Sequence, residues 1–452
     1  MEKSLKLVVK ISLNNWRIKA TAGWIINMHY LEKELNELIQ FWDEEPEALR
    51  TLRSGAFKQY KEVGLPNRKW EGWQFTDFSA LEKTSYRLAS PGDPPPVPET
   101  LPTIANCNRI LIINGHFQEN LSVLPDKVTV QTLQHAYATN PEIFNKAVVN
   151  NSNPFHNLNT ALMNSGLAII VGDNAVIDNP IHILYYTTGL TEPIMNHPLF
   201  LIVAGADSET TIIEHYAGST NVQYWQNVVT NIKLSNNAVL NHVRIQEEDL
   251  NGNHIADTAY TLEKDAQLNA FHFASGSSLY RQNIQVNLAS SGASSTVNGL
   301  CLAKDRQHLD QQIIINHLKE NCSSNQLFKY ILSDSSAGIF NGRVIVSEGA
   351  QKTDAQQTIR NLLLTDKAMA HSSPQLEIYA DDVKCSHGST TGQLDKNAIF
   401  YMRSRGIDVR TAQLLLISGF AKEVMETITN TNIDTYIDEK LTTWLEHIGV
   451  TP

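Results

Sequence analysis

Two stretches that begin 28 residues apart, Ala238-Val-Leu-Asn-His-Val243 and Ala266-Gln-Leu-Asn-Ala-Phe271, share one order of small, polar and apolar residues. Thr210-Thr-Ile-Ile-Glu-His215 begins 28 residues before the first, and Ser294-Ser-Thr-Val-Asn-Gly299 begins 28 residues after the second. A strand-forming repeat of this length is typical of a solenoid or a propeller. Because no Trp-Asp or Gly-His blade signature is present, the repeat favours a β-helix, in which each coil contacts only its neighbours.

The region around this repeat, residues 165–388, has the pattern of a sheet, and both flanks have the pattern of helices. Within the region, short β-branched and aromatic runs alternate with Gly, Asn, Asp and Ser turns. Before it, apolar residues recur at helical spacing from Leu31 to Trp42. The helices predicted after it are Leu394–Ser404, Val409–Ile417, Phe420–Ile428 and Asn432–Leu445. The sequence therefore predicts an α+β chain with a β-helix core between helical N-terminal and C-terminal parts.

These patterns divide the 452 residues into five segments. The basic residues 1–27 lack a continuous apolar stretch and a small-residue cleavage site, so we interpret them as an extension or a misassigned start. The proline-rich stretch Ser90–Pro98 predicts a stiff linker. The other segments are a helical N-terminal domain with this linker at 28–105, a mixed connecting region at 106–164, the β-helix core at 165–388 and a helical C-terminal domain at 389–452.

The core ends in Tyr379-Ala-Asp-Asp-Val-Lys-Cys-Ser-His-Gly388, which places a thiol, Cys385, two residues before an imidazole, His387. Alternate residues of a strand face the same side, about 6–7 Å apart, so the two side chains form a candidate metal-binding pair. Gly388 is expected to end the strand, and a helical segment is expected over Gln393–Arg405. A packed thiol beside a surface histidine is the structural alternative.

A metal at this pair would need further ligands, because structural zinc sites have four ligands and iron–sulfur clusters are usually held by four thiolates. A site built on one Cys and one His is therefore open or shared with another chain. The neighbouring Asp381 and Asp382 point to opposite faces of a strand, so turn capping is favoured over a cation site or an acid–base pair. Upstream, His215, His242 and His272 recur at nearly the repeat spacing and are predicted to stack as a polar ladder.

Several short motifs of the sequence resemble motifs of the SufD family, the scaffold subunits of the SUF iron–sulfur cluster assembly machinery. The resemblance is dense from about Ser295 to Val424 and looser before it, where Trp73-Gln-Phe-Thr76 matches a word of the family and is interpreted as local core. The dense part comprises Phe340-Asn-Gly-Arg-Val-Ile-Val346, Ala350-Gln-Lys-Thr-Asp-Ala355, Asn361-Leu-Leu-Leu364, the Tyr379–Gly388 word, Gly392-Gln-Leu-Asp395, Phe400-Tyr-Met-Arg-Ser-Arg-Gly-Ile407 and the stretch from Ala412 to Phe420.

The resemblance implies a right-handed parallel β-helix in a non-catalytic scaffold subunit of a cytoplasmic complex. It implies two partners: SufB, joined as a heterodimer through the β-helix core, and the ATPase SufC, bound through the C-terminal helices. A homodimer is the corresponding form of the chain alone. His387 and, second, Cys385 are the implied ligands of a transient iron–sulfur cluster shared with SufB. The family also links the complex to reduced FAD, for which no residue here indicates a site. The candidate partner-binding residues are Phe400, Tyr401, Arg405, Gly406 and Phe420.

Composition and missing motifs exclude several other functions. The net charge of −11 argues against nucleic-acid binding, and no apolar run reaches the ~18 residues of a membrane span. Because no Gly-x-x-x-x-Gly-Lys-Ser/Thr loop is present, ATP hydrolysis is expected of a partner and not of this chain. Two alternatives stay open. One is a SufB-like cluster-building subunit, whose family usually carries Glu where Gly388 stands. The other is a β-helix carbohydrate-active enzyme, which would need paired carboxylates on one coil face.

Overall fold

The computed structural model describes residues 29–41, 45–89, 97–139, 153–188 and 192–448. The predicted extension 1–27 and most of the proline-rich stretch Ser90–Pro98 lie outside the described residues. Within the described ranges, no helix combines the length and the hydropathy that crossing a membrane requires.

Helices lie at both ends of the described chain and strands fill its middle. The helices are α1 His29–Phe41, α2 Glu47–Val63, α3 Ser79–Lys83, α4 Leu133–Thr139, α5 Pro154–Leu162, α6 Lys396–Ser404, α7 Val409–Met425 and α8 Thr431–His447, with a short 3-10 turn at Glu119–Leu121. The strands are β1 Arg87–Leu88, β2 Asn108–Ile113, β3 His116–Phe117, β4 Val128–Thr132, β5 Ser165–Val171, β6 Ile181–Thr187, β7 Ile194–Asn196, β8 Pro198–Ala204, β9 Glu209–Gly218, β10 Tyr224–Leu234, β11 Val239–Gln246, β12 Gly252–Leu262, β13 Gln267–Ala274, β14 Leu279–Leu288, β15 Ser294–Ala303, β16 His308–His317, β17 Ser323–Leu332, β18 Ala337–Val346, β19 Thr353–Leu363, β20 Met369–Ile378 and β21 Val383–Gly392.

The strands form two parallel sheets that the chain visits in turn, so the predicted β-helix is confirmed. Sheet 1 runs in the order β20-β18-β16-β14-β12-β10-β8-β5-β4, and sheet 2 in the order β21-β19-β17-β15-β13-β11-β9-β6-β2-β3. Each coil from β5 and β6 to β20 and β21 gives one strand to each sheet. Antiparallel pairs, β4 with β5 and β2 with β3, occur only at the N-terminal end of the sheets described here.

One corner of the solenoid is built by a residue in the left-handed region that is followed by a small, buried residue. Asn and Asp tolerate this backbone conformation better than most residues. Each left-handed residue donates its backbone N–H to a carbonyl of the next coil, as Asn237 does to Lys264 at 2.9 Å. The left-handed residues are Asn174, Asp207, Asn237, Asp265, Gly292, Asn321 and Lys352. The buried residues after them are Ala175, Ser208, Ala238, Ala266, Ala293, Cys322 and Thr353.

The predicted 28-residue spacing is correct for one pair of coils and wrong for the pairs on either side. Val239 pairs with Gln267, so Ala238 and Ala266 occupy equivalent corners as expected. On the N-terminal side, however, Val239 pairs with Glu209, which makes Ser208 and not Thr210 the equivalent of Ala238. On the C-terminal side Gln267 pairs with Ser294, so Ala293 follows Ala266 at the corner. The number of residues between corners varies from coil to coil. A fixed spacing therefore assigns residues of neighbouring coils to positions that are not equivalent.

The predicted histidine ladder is wrong for the same reason. His272 pairs with Arg244 and Arg244 pairs with Glu214, so this row of the interior contains one histidine between strands β9 and β13. His215 instead lies on the outer face of sheet 2, where its Nδ1 is 3.0 Å from Nε2 of His182. Register and not spacing decides which side chains meet, because one residue of slip moves a side chain to the other face.

The interior of the solenoid is apolar along most of its length but contains a buried cluster of charges in its middle coils. Glu214 and Arg244 are fully buried, and Arg244 Nη1 lies 2.8 Å from Glu214 Oε2. His242 Nε2 lies 3.0 Å from Glu214 Oε1, and Nη2 of Arg244 lies 2.9 Å from Nε2 of His254. Buried charges are tolerated when they are paired and hydrogen-bonded, as these are.

The helical parts cover opposite outer faces of the solenoid. The N-terminal helices pack on sheet 1 through a cluster that includes Leu31, Phe57 and Trp73 together with Trp225 and Ile255 of the sheet. The predicted local core is therefore confirmed for Trp73, whereas Phe75 of the same stretch is 45% exposed. The C-terminal helices pack on sheet 2 through a second cluster, in which the helix residues include Ile417, Ala421, Val424, Ile433, Ile437, Leu441 and Trp444.

The C-terminal helices differ from their predicted bounds by up to three residues, and two of the predicted helices form a single one. Helix α6 begins at Lys396 because Asp395 accepts a hydrogen bond from the backbone N–H of Asn397, which caps the helix. The predicted break at Gly419 is wrong, since α7 runs without interruption from Val409 to Met425. A single exposed glycine costs a helix only about 1 kcal/mol, and packing of the opposite face on sheet 2 outweighs that cost.

Buried histidines make the stability of the fold sensitive to acid. Burial lowers the pKa of His197 to about 3 and that of His317 to about 4. Unfolded histidines titrate near 6.5, so the stabilisation from a neutral buried histidine is complete above that pH and is lost as the pH falls. Each such group lowers the free energy of unfolding by about 1.4 kcal/mol per pH unit below 6.5.

We therefore expect the urea midpoint of unfolding to stay nearly constant from pH 7.5 to about pH 7 and to decrease from about pH 6.5 to pH 5. A further loss is expected below about pH 4.5, because paired contacts lower the pKa of Glu247 to about 2 despite its burial. Urea titrations at half-unit intervals of pH measure both effects, and His197→Gln should reduce the first slope. A midpoint that stays constant between pH 7.5 and pH 5 would contradict this account.

Candidate functional site

The C-terminal end of the solenoid is open. Sheet 1 ends in β20 and sheet 2 ends in β21, and in the described chain each of these strands is paired on one side only. Both strands are ten residues long and partly or fully exposed. An edge strand of this kind presents a row of free backbone N–H and C=O groups that another strand can pair with. We refer to β20, β21 and the corner between them as the open end.

The structure places Cys385 and His387 together on β21 at this open end. Cys385 pairs with Ala355 of β19 and packs against a small cluster that includes Val344 and Val346. Since alternate residues share a face, His387 lies on the same side, and it is exposed. Burial raises the pKa of the Cys385 thiol, and the charge of Asp354 raises it further. In the described residues no three His, Cys, Asp or Glu side chains come together to hold a metal ion.

The predicted strand end at Gly388 is wrong, because β21 continues to Gly392. Thr358 pairs with Gly388 and Leu362 pairs with Gly392, so the ladder with β19 passes through the glycine without a break. A Cβ at Gly388 would meet nothing within 4 Å, so the residue shows no local need for glycine. Asp381 and Asp382 lie in the corner between the two strands, where a turn was predicted.

A second exposed surface lies on helix α6. The side chain of Phe400 is 72% exposed and that of Tyr401 is 60% exposed, and no residue of this helix is buried. The guanidinium of Arg405 lies over the Tyr401 ring, 5.3 Å from its centroid. Gly406 follows the helix with φ of 86°, a conformation that favours glycine, so its role is to end α6. Two large exposed aromatic side chains side by side on one helix are typical of a binding surface.

Phe420 differs from the other four predicted partner-binding residues, because it is half-buried under sheet 2. Nζ of Lys329 lies 4.5 Å from the Phe420 ring centroid and donates a hydrogen bond to the Phe420 carbonyl at 2.6 Å. The same ammonium contacts Glu423 at 2.6 Å, and Arg360 donates to Glu423 at 2.8 Å. Lys329 and Arg360 pair with each other on β17 and β19, so two neighbouring strands hold α7 at one carboxylate.

Sequence reasoning missed a segment that connects the N-terminal part with the open end. We call residues 71–76 the strap. Its Trp73 ring lies 3.6 Å from the guanidinium carbon of Arg281 on β14, and Thr76 and Arg281 both donate to Asp310 on β16.

The strap continues to the last two strands of sheet 1. Glu71 lies 3.0 Å from Arg343 on β18, and the Phe75 ring lies 3.8 Å from the ring of His371 on β20. The strap therefore crosses four successive strands of sheet 1. The Trp73-Gln-Phe-Thr76 word was visible in the sequence, but the strands that it contacts were not.

Two family models together match most of the described chain. Residues 29–183 match the SufBD protein N-terminal region. Residues 186–420 match the SufBD core domain of the SUF system for FeS cluster assembly. The second match covers the solenoid from the last two residues of β6 to the end of its last coil, together with α6 and most of α7.

Proteins of several organisms are similar to this chain over nearly its whole length. It is 33% identical to an iron–sulfur cluster assembly SufBD family protein of Synechocystis sp., over 85% of this chain and 88% of that protein. It is 30% identical to the iron–sulfur cluster assembly protein SufD of Escherichia coli, over 86% of this chain and 92% of that protein. It is 29% identical to the chloroplastic protein ABCI7 of Arabidopsis thaliana, over 85% and 84% of the two chains.

Proposed function

Because the chain belongs to the SufBD family of SUF iron–sulfur cluster assembly proteins, we propose that it is a SufD-type scaffold subunit that holds a nascent cluster at its open end. The observation that carries this proposal is the position of Cys385 and His387 on an edge strand. Two ligands on such a strand can be completed by ligands from a strand that pairs with it. The cluster is cargo here, which the chain holds in passing and does not retain as a cofactor.

The proposed partner at the open end is SufB. An edge strand pairs through its backbone, and the exposed side chains of Ile378 and Tyr379 add apolar area beside it. Thiolates and imidazoles from SufB would join His387 and Cys385 around the cluster, since a cluster usually needs four ligands. When the chain is alone, the same edge offers a surface for a homodimer.

The proposed partner at α6 is the ATPase SufC. Phe400 and Tyr401 provide the apolar contact area and Arg405 holds the Tyr401 ring in place. Phe420 contributes indirectly, because its contact with Lys329 fixes α7 on sheet 2. We propose that the chain itself catalyses no reaction and that ATP hydrolysis belongs to SufC.

The remaining features of this proposal follow from the family. We propose that the complex acts in the cytoplasm and that the five-segment division describes the chain, with the solenoid strands of the last coil reaching Gly392. Reduced FAD is proposed as a cofactor of the complex, with no site assigned to this chain. A SufB-like role is less well supported because Gly388 follows His387, and no family match points to carbohydrate chemistry.

Because the two proposed partners bind separate surfaces, we expect substitutions in one surface to remove one partner and to leave the other partner bound. In a complex co-expressed with SufB and SufC, Ile378→Glu with Tyr379→Glu should lower SufB recovery at least about tenfold and retain SufC. Phe400→Ala with Tyr401→Ala should lower SufC recovery by a similar factor and retain SufB. Burying one large apolar side chain contributes about 1.5–3 kcal/mol, so two per surface suffice for such a loss.

Each pair of substitutions serves as the control for the other, and recovery is measured by affinity purification through a tag on the altered chain. Melting temperatures of the altered chains should stay close to that of the unaltered chain, because all four side chains are exposed. Loss of both partners from either pair, or of neither, would contradict the assignment of separate surfaces.

A further inference from the structure

A row of buried glutamines lies directly beneath His387 in the interior of the solenoid. Gln326 of β17 pairs with Gln357 of β19, and Gln357 pairs with His387 of β21. Neighbouring strands lie about 4.8 Å apart, so side chains on one face of in-register strands stack on one another. Gln326 and Gln357 are both buried, and His387 is the exposed last member of the row.

The amide of Gln357 has one satisfied atom and one free atom. Its Nε2 donates to Oε1 of Gln326 at 3.1 Å, on the side away from β21. Its Oε1 is buried and has no hydrogen-bond partner in the described part of the chain. A buried carbonyl without a partner costs about 1–3 kcal/mol, so a donor that reached this oxygen would stabilise the structure.

Gly342 on β18 keeps open the space that this amide fills. A Cβ at Gly342 would lie 2.1 Å from Nε2 of Gln357, far inside van der Waals contact. Gly342 is part of the Phe340–Val346 word, and Gln357 follows the Ala350–Ala355 word by two residues. The Phe340–Val346 stretch, which has no other role in the site, therefore contacts the amide next to His387.

On the β21 side of the amide, His387 is the donor that is adjacent in register to Gln357, whereas Gln326 on the other side accepts from Nε2 of Gln357. A neutral imidazole carries one N–H and one nitrogen lone pair, and only the lone pair can bind a metal. No described residue accepts a hydrogen bond from His387 in the chain as it stands, where the ring is exposed. Metal-binding histidines commonly donate their second nitrogen to an oxygen, which fixes the ring and its tautomer.

We propose that Gln357 is a positioning residue for His387. When a partner covers the open end, the His387 ring turns toward the interior and donates one N–H to Oε1 of Gln357. The other ring nitrogen then presents its lone pair to iron at the junction of the two chains. This inference rests on the proposed function, since it assigns a supporting residue to the same site.

The test compares three substitutions in the complex with SufB and SufC. Gln357→Met keeps the length of the side chain and removes the acceptor, while Gln357→Glu keeps an oxygen in its place. The matched control is Gln311→Met, since Gln311 is another buried interior glutamine with an unpartnered Oε1. The measurements are iron and acid-labile sulfide per complex after supply of ferrous iron and sulfide, and the exchange rate of the His387 C2 proton by mass spectrometry without iron.

We expect Gln357→Met to lower iron content about 10-fold to 100-fold, the range found when a supporting hydrogen bond of a metal ligand is lost. It should also speed the C2 exchange of His387, whereas Gln311→Met and Gln357→Glu should leave both readouts near their original values. If Gln357→Met lowers the melting temperature more than Gln311→Met does, Gln357→Asn replaces it, because the shorter side chain withdraws the oxygen from the ring.

The outcomes separate this inference from the proposed function. Unchanged iron content and unchanged C2 exchange in Gln357→Met or Gln357→Asn, together with iron loss in His387→Ala, would overturn the role of Gln357 alone. Unchanged iron content in His387→Ala would overturn the proposed site itself. Iron loss without faster C2 exchange would also overturn the inference, because Gln357 would then act other than through His387.

Discussion

Replacing His387 by alanine is expected to lower the iron and sulfide content of the assembled complex at least about tenfold, since even the loss of a supporting group costs a metal site that much. Complex formation and melting temperature should hardly change. The side chain is exposed and has no hydrogen-bond partner among the described residues, and the stability of a solenoid is spread over many coils.

Cys385→Ala is expected to have a smaller effect on the cluster and a larger one on stability. Its side chain packs against the last interior cluster of the solenoid, so its removal should lower the free energy of unfolding by about 1 kcal/mol. Ser389→Ala is the matched control, because Ser389 is the next exposed residue on the same side of β21. Normal iron and sulfide in the His387→Ala complex would leave His387 with a structural role only.

The largest expected effect on stability comes from the charges buried in the middle coils. Glu214→Ala should lower the free energy of unfolding by about 3–5 kcal/mol, because it leaves Arg244 buried without a counter-charge. Burial alone would raise the pKa of Glu214, but Arg244 and His242 outweigh burial and hold it well below its usual range. The carboxylate is therefore charged at neutral pH, and Arg244 depends on it.

Chemical denaturation followed by circular dichroism measures this loss. Glu263→Ala is the control, since Glu263 forms a partly exposed pair with Lys233 at 3.6 Å and should contribute less than about 1 kcal/mol. Replacing both charges, as in Glu214→Leu with Arg244→Met, should cost less than Glu214→Ala alone, because no unpaired charge remains. Equal stability of the Glu214→Ala and Glu263→Ala chains would show that the buried pair is not needed.

The sequence predicted the kind of fold better than the register of its strands. A repeat of strand-forming runs with turn residues between them favoured a β-helix, and Ala238 and Ala266 lie on equivalent corners as predicted. The coils differ in length, however, so Thr210 and Ser294 were assigned to the wrong positions. Asn or Asp followed by a small residue marks five of the seven corners, and this pattern was present in the sequence.

Only those parts of the candidate site whose residues are close together in the sequence could be predicted from it. Cys385 and His387 lie two residues apart on one strand, and alternation alone places them on one face. Gln357 precedes His387 by one coil, and Gly342 lies in the other sheet, so only the three-dimensional register brings them together. The strap and the buried pair of Glu214 and Arg244 were missed for the same reason.

The strap also has a consequence for how the chain acquires its structure during synthesis. Each coil pairs with the coil before it, so the coils can form one after another during translation. The strap cannot, since its hydrogen bonds join residues that are 209, 234 and 272 positions apart. Contacts between residues so far apart in the sequence form late in folding. An interrupted polypeptide that ends before His371 would leave Phe75 without the ring that it packs on, so docking of the strap distinguishes a finished chain from a truncated one.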